Sequence, residues 1–319
     1  MRARLLLALG LPLGLVSTVS AQSLQADIAK QLDGLKARSS IYAKHLPSGK
    51  TIEVRADQPM NTLSVIKITV MIQAFRDVEA GTFKLADRYT IRPEDMRRGS
   101  GLLQTFDPGV APTYRDLIEQ MIITSDNTAT DLLIKKVGRT RVNETLAKLG
   151  FKVTRLKATT GDLFRGVWVQ LDPKNAKMTD REVFEKGFPS DPDASKRTFA
   201  FEGDSSKWLG VTTAREISQI LEGILNAKFA TKEHSDMMLD MLRAQFSTSR
   251  LPQRLQWKNI TIAHKTGDWP PHAGSDVGIL FYPGGPTIVS VFTGQNTGDF
   301  FELEATEGRI AERLVNEWK

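Results

Sequence analysis

The sequence predicts a mixed α/β (α+β) fold in which an antiparallel sheet, flanked by terminal helices, receives a mostly helical lobe inserted between its two halves. Three observations carry this. Hairpin-spaced strand patterns occur near both ends of the chain, helical periodicities fill the interval between them, and an apolar helical stripe lies at each terminus.

Residues 22–39 place Leu24, Ile28, Leu32 and Leu35 at helical intervals, so one stripe packs on a core. Residues 41–46 and 51–55 read as strands around the turn Pro47-Ser48-Gly49-Lys50. Residues 64–81 and 113–138 read as helices closed by glycine, the second opened by Thr113 and Asp116 at capping-box spacing. The stretch 166–208 holds Asp172-Pro173, Phe188-Pro189-Ser190-Asp191-Pro192-Asp193 and Gly203-Asp204-Ser205-Ser206. Its low apolar density predicts an irregular surface excursion. Thr212-Thr213 then caps a helix carrying Ile217, Ile220, Leu221 and Ile224. A strand up to Lys265, a hairpin about Pro283-Gly284-Gly285-Pro286 and a helix with Ile310, Leu314 and Trp318 complete the chain.

Composition narrows the function. The 319 residues include 25% charged and 40% hydrophobic side chains and no cysteine, which excludes disordered and disulfide-scaffold classes, thiol catalysis and a thiolate zinc site. Arg2 and Arg4 precede an apolar run over residues 5–16, and Val19-Ser20-Ala21 offers a small-residue cleavage point. Residues 1–21 therefore read as an export signal, too short to span a bilayer, which implies a periplasmic or secreted protein with no stable membrane insertion after cleavage. Losing its two arginines lowers the formal charge of +6 by two, and no basic cluster points to nucleic acid. The four histidines, His45, His234, His264 and His272, lack metal-ligand spacing, so no metal and no cofactor is expected.

The helix opening at Ser64 is apolar nearly all round from Val65 to Phe75, which marks it as buried and makes Lys67 the anomaly. Ser64 lies three residues earlier on the same face, so the pair has the form of a serine nucleophile and a desolvated lysine base. Ser125-Asp126-Asn127 interrupts an otherwise apolar helical pattern, and Lys265-Thr266-Gly267 ends the strand residues 260–264, with Gly267 admitting close backbone approach.

A lone S-x-x-K is common by chance; the three motifs in this order are not. At these residues the chain resembles the active-site serine penicillin-recognising enzymes. Ser125-Asp126-Asn127-Thr128-Ala129-Thr130-Asp131 and Val153-Thr154-Arg155-Leu156 are similar in particular to class A β-lactamases. The resemblance implies a β-lactamase/transpeptidase-like fold, with residues 22–319 as the catalytic domain: a sheet lobe of 22–60 and 210–319, and a helical lobe of 61–209. It implies a β-lactam or peptidoglycan-stem substrate, a monomer and a hydrolase of cyclic amides. Ser64 would attack the lactam carbonyl, Lys67 would act as base or proton relay, Ser125 would pass a proton to the departing nitrogen, and Lys265 would hold Ser125 and the substrate carboxylate. Asn127, Thr266 and Gly267 would bind substrate, and the backbone N–H groups of Ser64 and Asp268 would form the oxyanion hole.

The resemblance breaks in one region. The family's deacylating glutamate aligns with Thr160, and its leucine and asparagine align with Leu163-Phe164; the loop-closing arginine aligns with Ala158. The chain is also longer than the family by roughly three dozen residues, all within 166–208. Either an acid of the remodelled loop activates water, with Asp162 the first candidate and Glu182 and Glu185 behind it, or the protein acylates and turns over slowly as a penicillin-binding or D-Ala-D-Ala carboxypeptidase-like protein. Asp162 fits a helix cap equally well. No Arg or Lys occurs in 268–282, which leaves Lys265 and Thr266, with Ser275 or His272 as accessory candidates, for the carboxylate.

Overall fold

The structure is a computed structural model that describes residues 15–256 and 258–319, with side chains from Ser23 onward. Residues 1–14 of the export-signal reading lie outside the described residues. Helix α1 (Leu15–Asp33) buries Leu24, Ile28 and Leu32, and ends where Gly34 N–H bonds the Lys30 carbonyl. It stops short of Ser39, because residues 38–40 are drawn into strand β1 (Arg38–His45) by pairing with a distant strand. The turn 47–50 is a hairpin as expected, with Gly49 at φ 70°, leading to β2 (Thr51–Val54) and the short β3 (Met60–Asn61).

A 3₁₀ turn over residues 63–66 feeds α2 (Lys67–Glu79). The capping box of Thr113 and Asp116 opens α3 (Tyr114–Ile123); the polar triplet breaks the pattern, and Asp126 caps α4 (Asn127–Val137). Then come α5 (Arg139–Lys148), β4 (Arg155–Leu156) and α6 (Thr160–Leu171). The expectation of an irregular excursion over 166–208 is corrected here. The segment completes α6 and adds α7 (Asp180–Lys186) and α8 (Ala194–Gly203), because Val167, Trp168, Val183 and Phe201 are buried while Leu171 and Phe188 stay exposed, and Thr179 and Glu182 form a capping box.

After β5 (Gly210–Thr212), Thr213 caps α9 (Ala214–Leu225), which α10 (Lys232–Arg243) follows. Strand β6 (Thr261–Trp269) runs straight through the Lys-Thr-Gly triplet rather than ending at it, because β7 (Ala273–Phe281) continues to pair with it, Gly267 opposite Ser275. Strand β8 (Thr287–Gly294) and α11 (Phe300–Glu317) close the chain. Among the described residues the main sheet has the order β2-β1-β8-β7-β6, so strands from the two chain ends meet at β1 and β8; β3, β5 and β4 form a small second sheet.

Period-2 alternation divides the core. Ile41, Val289 and Val291 face α1 and α11, whereas Tyr42, Ile288 and Phe292 face the helical side, where Ser218 of α9 bonds Ser290. Among the described residues no helix is long and apolar enough to cross a membrane.

Candidate active site

Three local devices bring the motifs together. The first is the turn before α2. Leu63 takes a positive φ of 46°, a conformation costly for a branched side chain, and is held there as its N–H donates to Asn61 Oδ1 at 3.2 Å. Ser64 then opens the helix at the edge of a cavity of about 440 Å³. The second device is Gly267: a Cβ there would stand 2.7 Å from the Thr62 carbonyl oxygen and 3.4 Å from the Ser64 nitrogen. Only glycine lets β6 lie this close to the Ser64 backbone, and it leaves Asp268, next along the strand, lining the same cavity as Ser64.

The third device is the break between α3 and α4. Ser125 sits at φ 55°, pinned because Asp126 accepts from the backbone N–H groups of Ala129 (2.9 Å) and Leu103 (2.8 Å). This turns the Ser125 hydroxyl between two ammonium groups, with Lys67 Nζ at 3.1 Å and Lys265 Nζ at 3.0 Å. Lys67 also donates to the Ser125 carbonyl (2.6 Å) and to Asn127 Oδ1 (2.9 Å), and Lys265 to the Thr266 carbonyl (2.9 Å).

Both lysines are fully buried. Burial pulls Lys67 well below the ordinary lysine value, and the neighbouring Lys265 charge pulls it further, against Asp126, Asp131 and Asp268. Burial lowers Lys265 to about 8, with Asp268 and Asp276 opposing. Among the described residues the hydrogen bonds of Lys67 go to Ser125 and Asn127 rather than to Ser64. An ammonium has three donors and no acceptor, so the amine can accept the Ser64 proton only after losing one of its own, and the lowered pKa favours that form.

The wall opposite these groups is built by α6. Thr160, Leu163, Phe164 and Val167 recur on one helical face and line the cavity. Asp162 lies two residues from Thr160 and therefore faces away. It is exposed, accepts from Thr159 N–H (3.2 Å) and pairs with Arg165 (3.1 Å), which offset burial and hold its carboxyl below the usual range. The helix-cap reading is thus the one the structure supports, and Asp162 is not brought to Ser64. Glu182 and Glu185 are corrected likewise: the first caps α7 and the second pairs with Arg181 (2.6 Å), both on the surface. We expect Asp162→Asn to leave the deacylation rate of a penicillin adduct within about twofold of wild type, as for a surface polar change. A tenfold fall, read by the decay of the adduct mass, would return Asp162 to the mechanism.

The position aligned with the missing glutamate has another task. Asp131 accepts from Thr160 N–H (2.7 Å), Thr160 Oγ1 (2.9 Å), Gly161 N–H (2.9 Å) and Arg97 Nε (2.7 Å). Arg97 and Arg165 both pair with Asp180 of α7. This chain of charges clamps α6 and α7 to α4, replacing the loop-closing arginine whose position Ala158 occupies. Asp180 lies inside the extra segment, so the clamp had no family signal to reveal it.

The carboxylate end is also corrected. Ser275 Oγ accepts from Thr293 N–H (3.2 Å) and His272 Nε2 contacts Thr198 Oγ1 (3.2 Å); neither lines the cavity. His264 is buried against Asp276 (2.9 Å). Sequence reasoning missed Arg250, which arrives from the loop before β6, is 2% exposed, pairs with Asp268 and Glu304, and bonds the Ser275 carbonyl (2.8 Å). Burial raises the Asp268 carboxyl, but Arg250 more than offsets this and holds it low. Ser125, Thr266 and Asp268 border an adjoining groove. Among the described residues no cluster of acids or histidines fit to hold a metal occurs.

Known proteins resemble the chain in sequence and in fold. The chain is 25% identical over 292 residues to a β-lactamase of Streptomyces lavendulae, covering 88% of this chain and 83% of that one. Among solved structures it is similar to a β-lactamase from Sphaerobacter thermophilus, at TM-score 0.73 and 26% identity over 92% of this chain and 96% of the other. An ancestral class A β-lactamase shares the fold, at TM-score 0.73 and 21% identity over 92% and 99%. A sequence model of the beta-lactamase enzyme family matches residues 21–318, and the chain belongs to that family.

Proposed function

We propose that the protein opens β-lactams through a Ser64 acyl-enzyme and releases the product slowly, so that acylation is efficient and hydrolysis is limited by water delivery. The observation that carries this is the contrast between the two sides of one cavity. One side holds Ser64 beside the buried Lys67, Ser125, Asn127 and Lys265 cluster; the other presents Thr160, Leu163, Phe164 and Val167 where an acid would activate water. Among the described residues Asp268 is the single acid lining the cavity, and its carboxylate is taken by Arg250.

In this reading the neutral Lys67 amine takes the Ser64 hydroxyl proton as Oγ attacks the lactam carbonyl. The developing oxyanion is met by the backbone N–H groups of Ser64 and Asp268, a donor type typically worth ~10² to 10³ in rate. The C–N bond breaks, and Ser125 hands its proton to the departing nitrogen while regaining one from Lys67. Lys265 and Thr266 hold the carboxylate of the substrate. The ester then waits for a water that no carboxylate activates. The charge and apolar pattern of residues 1–21 supports export to the periplasm or beyond.

The test is to mix pure protein with a chromogenic cephalosporin and follow turnover and intact mass together. A burst of about one equivalent with a persisting adduct, the signature of rapid acylation before slow release, is expected. Fast steady turnover with no adduct would overturn slow release, and neither burst nor adduct would overturn the acyl-enzyme.

Acylation should also depend on pH in a defined direction. Lys265 is cationic below about 8 and loses that charge above it, so the second-order acylation rate should fall on the alkaline side with a midpoint near this value. On the acid side it should fall as Lys67 becomes protonated. A flat profile through pH 9 would remove the charge of Lys265 from substrate binding.

A further inference from the structure

We infer that α6 and the segment following α7 build a subsite that selects acyl donors bearing a bulky, uncharged, apolar side chain. The inference rests on the Ser64 reading and adds to it the class of substrate. Beyond Asn127, the cavity is walled by Leu163, Phe164 and Val167 of α6 and by Phe188 and Pro189, which lie in the segment that exceeds the family's length. Phe164 and Phe188 meet edge to face, with ring centres 5.1 Å apart, and Phe188, 48% exposed, lines the same cavity as Ser64. A flat apolar group entering here covers both rings.

Charge points the same way. No lysine, arginine, histidine or glutamate among the described residues lines the cavity, and Asp268 is already paired. A charged substituent would lose hydration and find no partner. The wall is also anchored: Trp168 Nε1 donates to the Gly187 carbonyl (3.0 Å), Arg98 Nε to that of Phe184 (2.6 Å) and Trp269 Nε1 to that of Thr198 (3.3 Å), while Phe201 stacks on Trp269. Little ordering is then left to the ligand, so the contact is expressed as selectivity.

Three penicillins of one nucleus test this: benzylpenicillin, whose side chain is phenylacetyl; carbenicillin, which adds a carboxylate beside the same ring; and 6-aminopenicillanic acid, which has no acyl group. The readout is the second-order rate of adduct formation by intact mass. Wild type should acylate with benzylpenicillin at least about tenfold faster than with either of the others, the scale on which an apolar pocket discriminates. Phe188→Ala should collapse the ratio of benzylpenicillin to carbenicillin towards one, and Phe188→Leu should restore most of it. Equal rates for the three in wild type, or an unchanged ratio in Phe188→Ala, would overturn the subsite while leaving the acyl-enzyme intact. No adduct with any of them would overturn the Ser64 reading and the subsite with it.

Discussion

Ser64→Ala is expected to form no adduct with any penicillin and to lose turnover by on the order of 10⁴ to 10⁶, the loss seen when a serine nucleophile is removed from a coupled unit. The reason is geometric. Ser64 lies at the mouth of the cavity, on a turn strained at Leu63 and crowded by β6 at Gly267, and the lysine three residues on has its charge destabilised by burial and by Lys265. Lys67→Met should slow acylation by roughly 10² to 10⁴, because general-base assistance is lost while the nucleophile remains. Circular dichroism must accompany it, since Ser125 and Asn127 then lose a buried donor. Mass addition of a penicillin to Ser64→Ala at wild-type stoichiometry would show another nucleophile at work.

Thr160→Glu should act on the other half-reaction and accelerate deacylation by about 10², the lower range for a positioned general base. Thr160 lines the cavity with Ser64 and sits where the family's water-activating glutamate aligns. A carboxylate there comes close to Asp131, whose present partners include the Thr160 hydroxyl and Arg97, so some thermal stability should be lost. The measurement is the decay of the preformed benzylpenicillin adduct after excess ligand is removed. Decay no faster than wild type in a folded variant would mean that the absent acid is not what limits release.

Much of the fold was legible because it is local. Thr113 with Asp116 and the pair Thr212-Thr213 announce their helices by caps within one turn, and strand patterns at both ends of the chain point to one sheet that the two ends share. Errors fell where long-range packing wins. Residues 38–40 leave the helical pattern for the partner strand, and the Lys-Thr-Gly strand continues to Trp269 because β7 is there to pair with it. The segment 166–208 looked structureless because a handful of apolar residues is enough to seat α7 and α8 once α6 gives them a surface.

For the site the same division holds. Chain chemistry and spacing alone picked out Ser64 with Lys67 as a candidate nucleophile and base and set out the Ser125 and Lys265 motifs, since each depends on residues a few positions apart, while the lack of a glutamate at position 160 is what the resemblance implies. Tertiary structure alone decided that Lys67 turns to Ser125 and Asn127, that Asp162 faces outward, that Arg250 occupies Asp268, and that Asp131, Arg97, Asp180 and Arg165 clamp the remodelled wall. Apart from the local Asp162–Arg165 pair, those contacts join residues 15 to 83 positions apart, and which charge meets which is set by the packing of the elements that carry them, a term no local pattern contains.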